Sequence, residues 1–180
     1  MAEEMASLPT TGRIRDLLHE PPPGTERVVV HRAIPGASPS ALFELRREPQ
    51  YLVHFRPLVP VHVESPGRPL EEGDMEQVWW DSPVGRLSLD LRTTEVAPPV
   101  RVVDTQERGQ FRYWRHQRLV GTVDEEPTLI DVIDFRFVPG AVGRVIDALV
   151  VGPLIRVAFN RQQREVASVT GWPPHPFGRD

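Results

Sequence analysis

The predicted elements indicate an α+β fold in which one twisted antiparallel sheet of about seven strands wraps around a long C-terminal helix. Two observations lead to this prediction. Six short β-type segments follow one another between residues 59 and 138, and the short turn-forming links between them favour antiparallel pairing. After residue 141 the apolar spacing becomes helical, and this helix is the only element long enough to cover one face of the sheet.

The region before the strand series contributes one strand and one or two short helices. Residues 27–34 are rich in β-branched side chains and predict the first strand. Ser38 and Pro39 are a typical N-cap and first helical residue, and Pro49 ends the helix that they begin. One more helical turn is expected within the loop of residues 51–55.

Side-chain alternation places the remaining strands. In residues 86–96, Leu87, Leu89 and Leu91 alternate with polar residues, as in a strand with one buried face. The other strands are predicted at residues 59–64, 75–80, 100–106, 111–120 and 128–138.

The C-terminal helix is predicted over residues 141–170. Pro153 has no amide hydrogen to donate and should kink or interrupt this helix. Its apolar stripe is expected to face the sheet and comprises Val142, Val145, Ile146, Leu149, Leu154, Ile155, Ala158 and Phe159.

Three regions follow from these patterns. Residues 1–25, with the run Pro21-Pro22-Pro23, are expected to be a flexible leader, residues 26–170 one ligand-binding domain, and residues 171–180 a flexible tail. The leader contains Glu3, Glu4 and Asp16 and does not have the pattern of a signal peptide, so we expect a cytoplasmic protein.

Composition excludes several classes of function. The 180 residues include no cysteine and no lysine, which removes thiolate nucleophiles, iron–sulfur clusters, Schiff-base chemistry and a phosphate-binding loop with its lysine. A net charge of −4 gives no global attraction for nucleic acid. No apolar run is long enough to span a membrane. The six histidines are scattered, so neither a metal nor another cofactor is expected.

The main candidate site is a polar group on the predicted inner face of the last two strands. Symmetric pairing across the link of residues 121–127 puts His116 opposite Asp131, Trp114 opposite Ile133 and Arg112 opposite Phe135. A tight turn around Gly109 brings Asp104 opposite Trp114. The pair of His116 and Asp131 is open to two interpretations, a buried ion pair that satisfies two polar groups or an acid–base pair for catalysis.

Arginines on the same strands also admit two interpretations. Arg112, Arg115, Arg118 and Arg136 could form an anion site, but Arg115 and Arg136 alternate onto the opposite face from Asp131. A solvated sheet face is therefore the favoured interpretation of these side chains.

Several local motifs, in order, resemble those of the START / polyketide-cyclase superfamily, also called SRPBCC, whose fold is the helix-grip. They are His31 to Pro35 followed by Ser38 to Phe43, Asp104-Thr105-Gln106, Gly109 to His116, Asp131 to Phe135, and Phe159-Asn160-Arg161. The second and third motifs are similar to a pattern in a bacterial branch of uncharacterised members.

The chain departs from that pattern at three positions. Gln110 replaces a proline, Arg118 stands where a second histidine is usual, and Phe135 stands where a tyrosine is usual. The resemblance implies a cavity for an apolar ligand, but it implies no single reaction, because the fold serves both binding proteins and enzymes.

Three functions are therefore carried forward. The leading hypothesis is the binding of a small hydrophobic or amphipathic molecule between the sheet and the C-terminal helix. The first alternative is a cyclase or dehydratase acting on a polyketide-like substrate, with His116 as general base and Asp131 orienting it. The second is an interaction module that forms a homodimer. The candidate ligand-binding residues are Asp104, Arg112, Trp114, His116, Asp131, Ile133, Phe135 and Phe159.

Overall fold

Seven antiparallel strands form one sheet and a long helical region follows them, which confirms the predicted α+β class. The computed structural model describes residues 9–10, 14, 16–49, 60–82 and 85–168. The strands are β1 (Glu26–Ala33), β2 (His62–Glu64), β3 (Met75–Ser82), β4 (Gly85–Ala97), β5 (Arg101–Gly109), β6 (Tyr113–Val123) and β7 (Glu126–Arg136). The spatial order is β1-β7-β6-β5-β4-β3-β2, so the first strand lies at one edge beside the last.

Helix α1 (Pro39–Arg47) follows β1 and begins as predicted. The Ser38 hydroxyl accepts a hydrogen bond from the Ala41 amide at 3.4 Å, and Pro39 occupies the first helical position. The side chains of Leu42, Phe43 and Arg46 are buried, which fixes α1 against the sheet. The helical turn expected at residues 51–55 and the tail at 171–180 lie outside the described residues.

The hairpin of β6 and β7 turns at Asp124 and Glu125, one residue beyond the centre predicted from the link of residues 121–127. Both residues have positive φ angles, 50° and 65°, as in the tight two-residue turns that match strand twist. The register therefore differs by two from the prediction, with Trp114 opposite Phe135, His116 opposite Ile133 and Arg118 opposite Asp131.

The pairing register between β5 and β6 also differs from the prediction by two residues. Asp104 lies opposite His116 and not opposite Trp114, because β5 continues to Gly109 before the chain turns. A shift of two residues preserves the face of every side chain. Trp114, His116 and Asp131 therefore still share the inner face.

The C-terminal helical region has three parts: α2 (Gly140–Ile146), a π-helical segment (Asp147–Val151) and α3 (Gly152–Ser168). The π-helical segment ends at Gly152, whose amide donates to the carbonyl of Asp147. The interruption therefore comes immediately before Pro153, as predicted from the missing amide hydrogen.

The expectation that the whole apolar stripe of this region covers the sheet is wrong. Val142 and Leu149 are 75% and 72% exposed, whereas the buried positions include Gly143 and Gly152. A Cβ atom at Gly143 would collide with the Val138 carbonyl oxygen, and one at Gly152 would lie only 3.1 Å from that of Asp147. Nearby backbone carbonyls therefore favour glycine at these two buried positions, whereas Ile155 and Phe159 of the predicted stripe do pack against the sheet.

Part of the N-terminal region lies across the outer face of the sheet. Ile14, Leu17 and Leu18 pack against the buried side chains of Leu119, Ile130 and Val132. Arginines of the sheet donate to backbone carbonyls of the same segment: Arg27 to His19 at 2.6 Å, Arg101 to Leu17 at 2.5 Å and Arg115 to Glu20 at 3.2 Å. These contacts were not expected from the sequence of the leader.

The inner face carries two apolar clusters. One lies beneath α1 and is built around Phe43, Val102 and Leu129. The other lies towards the opposite end of the sheet and includes Val28 and Phe135. No helix among the described residues is long and apolar enough to cross a membrane.

We predict that the β6–β7 turn carries backbone strain that glycine relieves. Glu125→Gly should raise the free energy of unfolding by roughly 0.5–1 kcal/mol, because its positive φ angle is unfavourable for residues with a Cβ atom. Urea denaturation measures the change. The matched control, Glu126→Gly in β7, should be destabilising, and equal destabilisation by both substitutions would contradict the assignment of the turn.

Candidate functional site

A cluster of buried polar side chains marks the middle of the inner face. Its members come from α1, α3 and five strands: Arg46, Glu76, Thr93, Asp104, His116, Arg118, Asp131 and Gln163, and all of them are buried. We call this set the polar cluster. Burial of so many charged groups is stable only when they pair and form hydrogen bonds with one another.

Asp131 is the acceptor at the centre of one half of the polar cluster. Its Oδ1 accepts from the Arg46 guanidinium and lies 2.7 Å from His116 Nε2, and its Oδ2 accepts from Gln163 Nε2 at 2.6 Å. Three separate elements therefore converge on a single carboxylate: α1 through Arg46, β6 through His116 and α3 through Gln163.

Arg118 is the donor at the centre of the other half. It donates to Asp104, to Glu76 at 3.3 Å and to the backbone carbonyl of Arg46 at 2.7 Å. The Thr93 hydroxyl donates to the second oxygen of Asp104 at 3.1 Å. Although Arg118 lies opposite Asp131 in the ladder, its guanidinium donates to carboxylates on β5 and β3.

Burial and pairing shift the pKa values in this cluster. Burial would raise the pKa of Asp131, but the Arg46 charge and the hydrogen bonds from His116 and Gln163 outweigh it and hold that pKa well below its ordinary value. Burial lowers the pKa of His116 despite its bond to Asp131. The imidazole is therefore neutral at pH 7, and Nε2 donates to the ionised carboxylate.

Glu76 is shifted in the opposite direction. Burial raises the pKa of Glu76, and the nearby Arg118 only partly offsets this. Burial also acts on Arg118, but the surrounding carboxylates of Asp104 and Glu76 raise its pKa above the ordinary value. Arg118 is therefore a permanent cation between two acidic side chains.

The structure brings together only some of the predicted site residues. Asp104, His116 and Asp131 belong to the polar cluster, and Trp114, Ile133 and Phe135 are buried in the adjoining apolar cluster. Phe159 of α3 meets the His116 ring edge-on, with 4.9 Å between the centroids. Arg112 is exposed, precedes β6, and does not join them.

Sequence reasoning missed Arg46, Glu76, Thr93 and Gln163. The solvated sheet face favoured for Arg118 is wrong, because this side chain is buried on the inner face opposite Asp131. Arg46 lies 85 positions before its partner Asp131, so no local pattern links them. One signal was present: Arg46 follows Leu42 and Phe43 at helical spacing and thus falls on the buried side of α1.

Trp114 and Gln163 each have a buried side-chain atom without a hydrogen-bond partner among the described residues. These atoms are Trp114 Nε1, a donor, and Gln163 Oε1, an acceptor. An unsatisfied buried donor or acceptor typically costs about 1–3 kcal/mol. Such atoms are places where a polar group of a bound molecule would be stabilised.

Two open spaces in the described residues lie away from the polar cluster. A groove of about 530 Å³ runs beside β2 and β3 and is lined by Glu64, Met75 and Gln77, among others, which alternate onto the outer face of the sheet. A smaller pocket of about 170 Å³ lies between β1 and the π-helical segment. At His116 and Asp131 themselves, Phe159 and Gln163 occupy the space between sheet and helix.

In the described part of the chain, no group of three or more histidine and acidic side chains could hold a metal ion.

We predict that the pair of Arg46 and Asp131 supports the fold. Arg46→Met should lower the free energy of unfolding by roughly 3–5 kcal/mol, because it leaves a buried carboxylate without its cation. Urea denaturation measures the loss. The control is Arg86→Met, which breaks an exposed pair with Asp81 and should have a much smaller effect. Equal losses in the two variants would contradict the prediction.

Stability should also fall in mild acid because of His116. Its folded pKa lies below the ordinary value of 6.5, so the unfolded chain binds more protons and stability is lost as pH decreases from about 6.5 towards the folded pKa. In His116→Gln this part of the profile should flatten, whereas His31→Gln on β1 should retain it. The raised pKa of Glu76 makes the folded chain bind more protons at this group, so its contribution to stability increases as pH falls. This contribution is the same in every variant. Parallel wild-type and His116→Gln profiles would contradict this account.

Comparison with known proteins supports the fold. No family model matches the chain, and no curated protein matches its sequence significantly.

Similar solved structures include TTHA0849 from Thermus thermophilus, at 14% identity and a TM-score of 0.62 over 79% of this chain and 95% of that one. Another is ginseng major latex-like protein 151 from Panax ginseng, at 11% identity and a TM-score of 0.61 over 83% and 99%. CV1439 from Chromobacterium violaceum matches at 13% identity and a TM-score of 0.59 over 82% and 98%. Together with the sheet and the C-terminal helix described above, these likenesses show that the chain has the Bet v1/START-like helix-grip fold.

Proposed function

We propose that the protein binds a small hydrophobic or amphipathic molecule between its sheet and α3, for sequestration, transport or sensing. The fold supports this proposal because α1 covers only one of the two apolar clusters on the inner face, and the other lies between the sheet and α3. The similar solved structures share this architecture and contribute nothing more specific.

The observation that carries the proposal is the pair of unsatisfied atoms, Trp114 Nε1 and Gln163 Oε1. A ligand with one acceptor and one donor would satisfy both atoms, of which one lies on β6 and the other on α3. A few such polar groups orient a ligand whose affinity comes mainly from apolar burial.

The apolar part of the ligand would lie against the cluster that contains Trp114. Phe111 packs edge-on against Trp114, with 4.9 Å between the ring centroids, and Trp80, Ile155 and Phe159 line the cluster without being fully buried. Removal of roughly 200 Å² of ligand surface from water would contribute on the order of 5 kcal/mol. Binding at this place requires the Phe159 ring to move away from His116.

The polar cluster would form the limit of this binding space. Asp131 already accepts bonds from Arg46, His116 and Gln163, so its charge is satisfied without a ligand. A ligand charge would gain little there, and we therefore expect the polar end of the ligand to bond to Trp114 and Gln163 and not to Asp131.

One observation favours an enzyme as the alternative. A neutral, buried imidazole at 2.7 Å from an ionised carboxylate has the arrangement of an oriented general base. His116 would then accept a proton from a polyketide-like substrate, and Asp131 would stabilise the imidazolium. The third hypothesis, a homodimeric interaction module, would involve exposed surface and not the inner face.

We predict saturable binding of one of three classes of compound: fatty acids, flavonoids or aromatic polyketides. Titration into the purified protein should change its tryptophan fluorescence. Calorimetry should show that Trp114→Phe, which keeps most of the ring surface but loses the donor, binds about tenfold more weakly, since tenfold corresponds to about 1.4 kcal/mol.

The matched control is Trp79→Phe, whose side chain stacks on His62 at the edge of the sheet and which should bind like the wild type. Absence of saturation with all three classes, or equal affinities of the two variants, would contradict the proposal. Mass spectrometry of the same mixtures separates the alternative: chemical conversion of the compound, lost in His116→Gln, would indicate an enzyme.

A further inference from the structure

The outer side of the C-terminal helical region carries an apolar stripe that no described residue covers. Six of its side chains are more than half exposed: Val142, Val145, Leu149, Val150, Leu154 and Val157. We call this set the outer stripe. It continues through α2, the π-helical segment and the start of α3.

The size of the outer stripe is unusual for a protein surface. Val142 and Val157 are fifteen positions apart, which corresponds to roughly 22 Å of helix. Single exposed apolar residues are common, but a continuous patch of this kind typically marks a contact with another molecule. The inner side of the same region packs on the sheet through Val151, Ile155 and Phe159. The outer stripe is therefore a separate apolar surface on the opposite side of the helical region.

The fully exposed charged side chains of residues 140–168 are all positive. Residues 140–168 contain four arginines, and Arg144, Arg156, Arg161 and Arg164 are all exposed. Of the two acidic residues in the same span, Asp147 is buried and accepts a hydrogen bond from the Phe137 amide at 3.1 Å. Glu165 is half-buried. The chain as a whole has a net charge of −4, so this basic surface is local.

The charge pattern discriminates between two occupants of the stripe. Antiparallel association with a second copy, centred on the outer stripe, would bring Arg144 of one chain towards Arg156 of the other, and parallel association would align identical arginines. Within residues 140–168, no fully exposed carboxylate offsets either arrangement. A negatively charged surface, in contrast, attracts the arginines while apolar material accepts the stripe.

We propose that this face docks on an anionic lipid surface, with α2 and the first half of α3 lying in the plane of the interface. The apolar side chains of the outer stripe enter the boundary between head groups and acyl chains, and the flanking guanidinium groups contact lipid phosphates. This inference is independent of the proposed ligand-binding function, because it uses the side of the helix that faces away from the sheet. It requires no membrane-spanning segment.

The test is co-sedimentation with vesicles of phosphatidylcholine that contain about one quarter phosphatidylglycerol. The wild type should sediment with these vesicles and not with pure phosphatidylcholine, and added salt should weaken binding, because the arginines act through their charge. Leu149→Ser/Leu154→Ser and Arg161→Gln/Arg164→Gln should each reduce the apparent affinity by about tenfold or more.

Two matched variants serve as controls. Met75→Ser removes an exposed apolar side chain from β3, and Arg86→Gln removes an exposed arginine from β4; both should bind vesicles like the wild type. The two arginine substitutions in α3 affect exposed side chains only, so they test the proposal even where the serine variants are poorly folded by circular dichroism.

Two results would overturn the proposal. One is absence of binding to the anionic vesicles, or equal binding to anionic and neutral ones. The other is a dimer in analytical ultracentrifugation that dissociates in Leu149→Ser/Leu154→Ser, since the stripe would then be an interface between two copies.

Discussion

The buried carboxylate of Asp131 imposes the main constraint on this structure. An ionised group inside an apolar core is stable only if cations and donors surround it. Arg46, His116 and Gln163 provide them from α1, β6 and α3, so all three elements must reach the middle of β7. The position of α3 on the sheet is therefore specified by a hydrogen bond as well as by apolar packing.

The polar cluster also divides the inner face into two unequal environments. On one side, α1 closes the apolar cluster around Phe43 and Leu129. On the other, aromatic side chains such as Phe111 and Phe159 are only partly buried. The proposed ligand lies beside Trp114 and not beneath α1 because of this asymmetry. The outer stripe adds a second asymmetry, because the C-terminal helical region also presents apolar side chains to the outside.

Much of the fold follows from the sequence, and the errors have identifiable causes. Period-two alternation assigned Trp114, His116 and Asp131 to one face correctly, but the β6–β7 register was two residues off because Asp124 and Glu125 adopt positive φ angles without glycine. The orientation of the first half of the C-terminal helical region could not be obtained from hydrophobicity, since Val142 and Leu149 are exposed while Gly143 and Gly152 take buried positions. Arg46 was missed because only the tertiary fold brings it to Asp131, whereas the contact of His116 with Asp131 was predictable from neighbouring strands.

The central claim is that Asp131 stays ionised within the core because its partners stabilise the charge. A ¹³C NMR titration that follows the side-chain carboxyl carbon of Asp131 tests this most directly. The signal should remain at its carboxylate position from about pH 8 to about pH 3, since the pKa lies below the ordinary value of 3.8. A midpoint at or above 3.8 in the folded protein would contradict the claim.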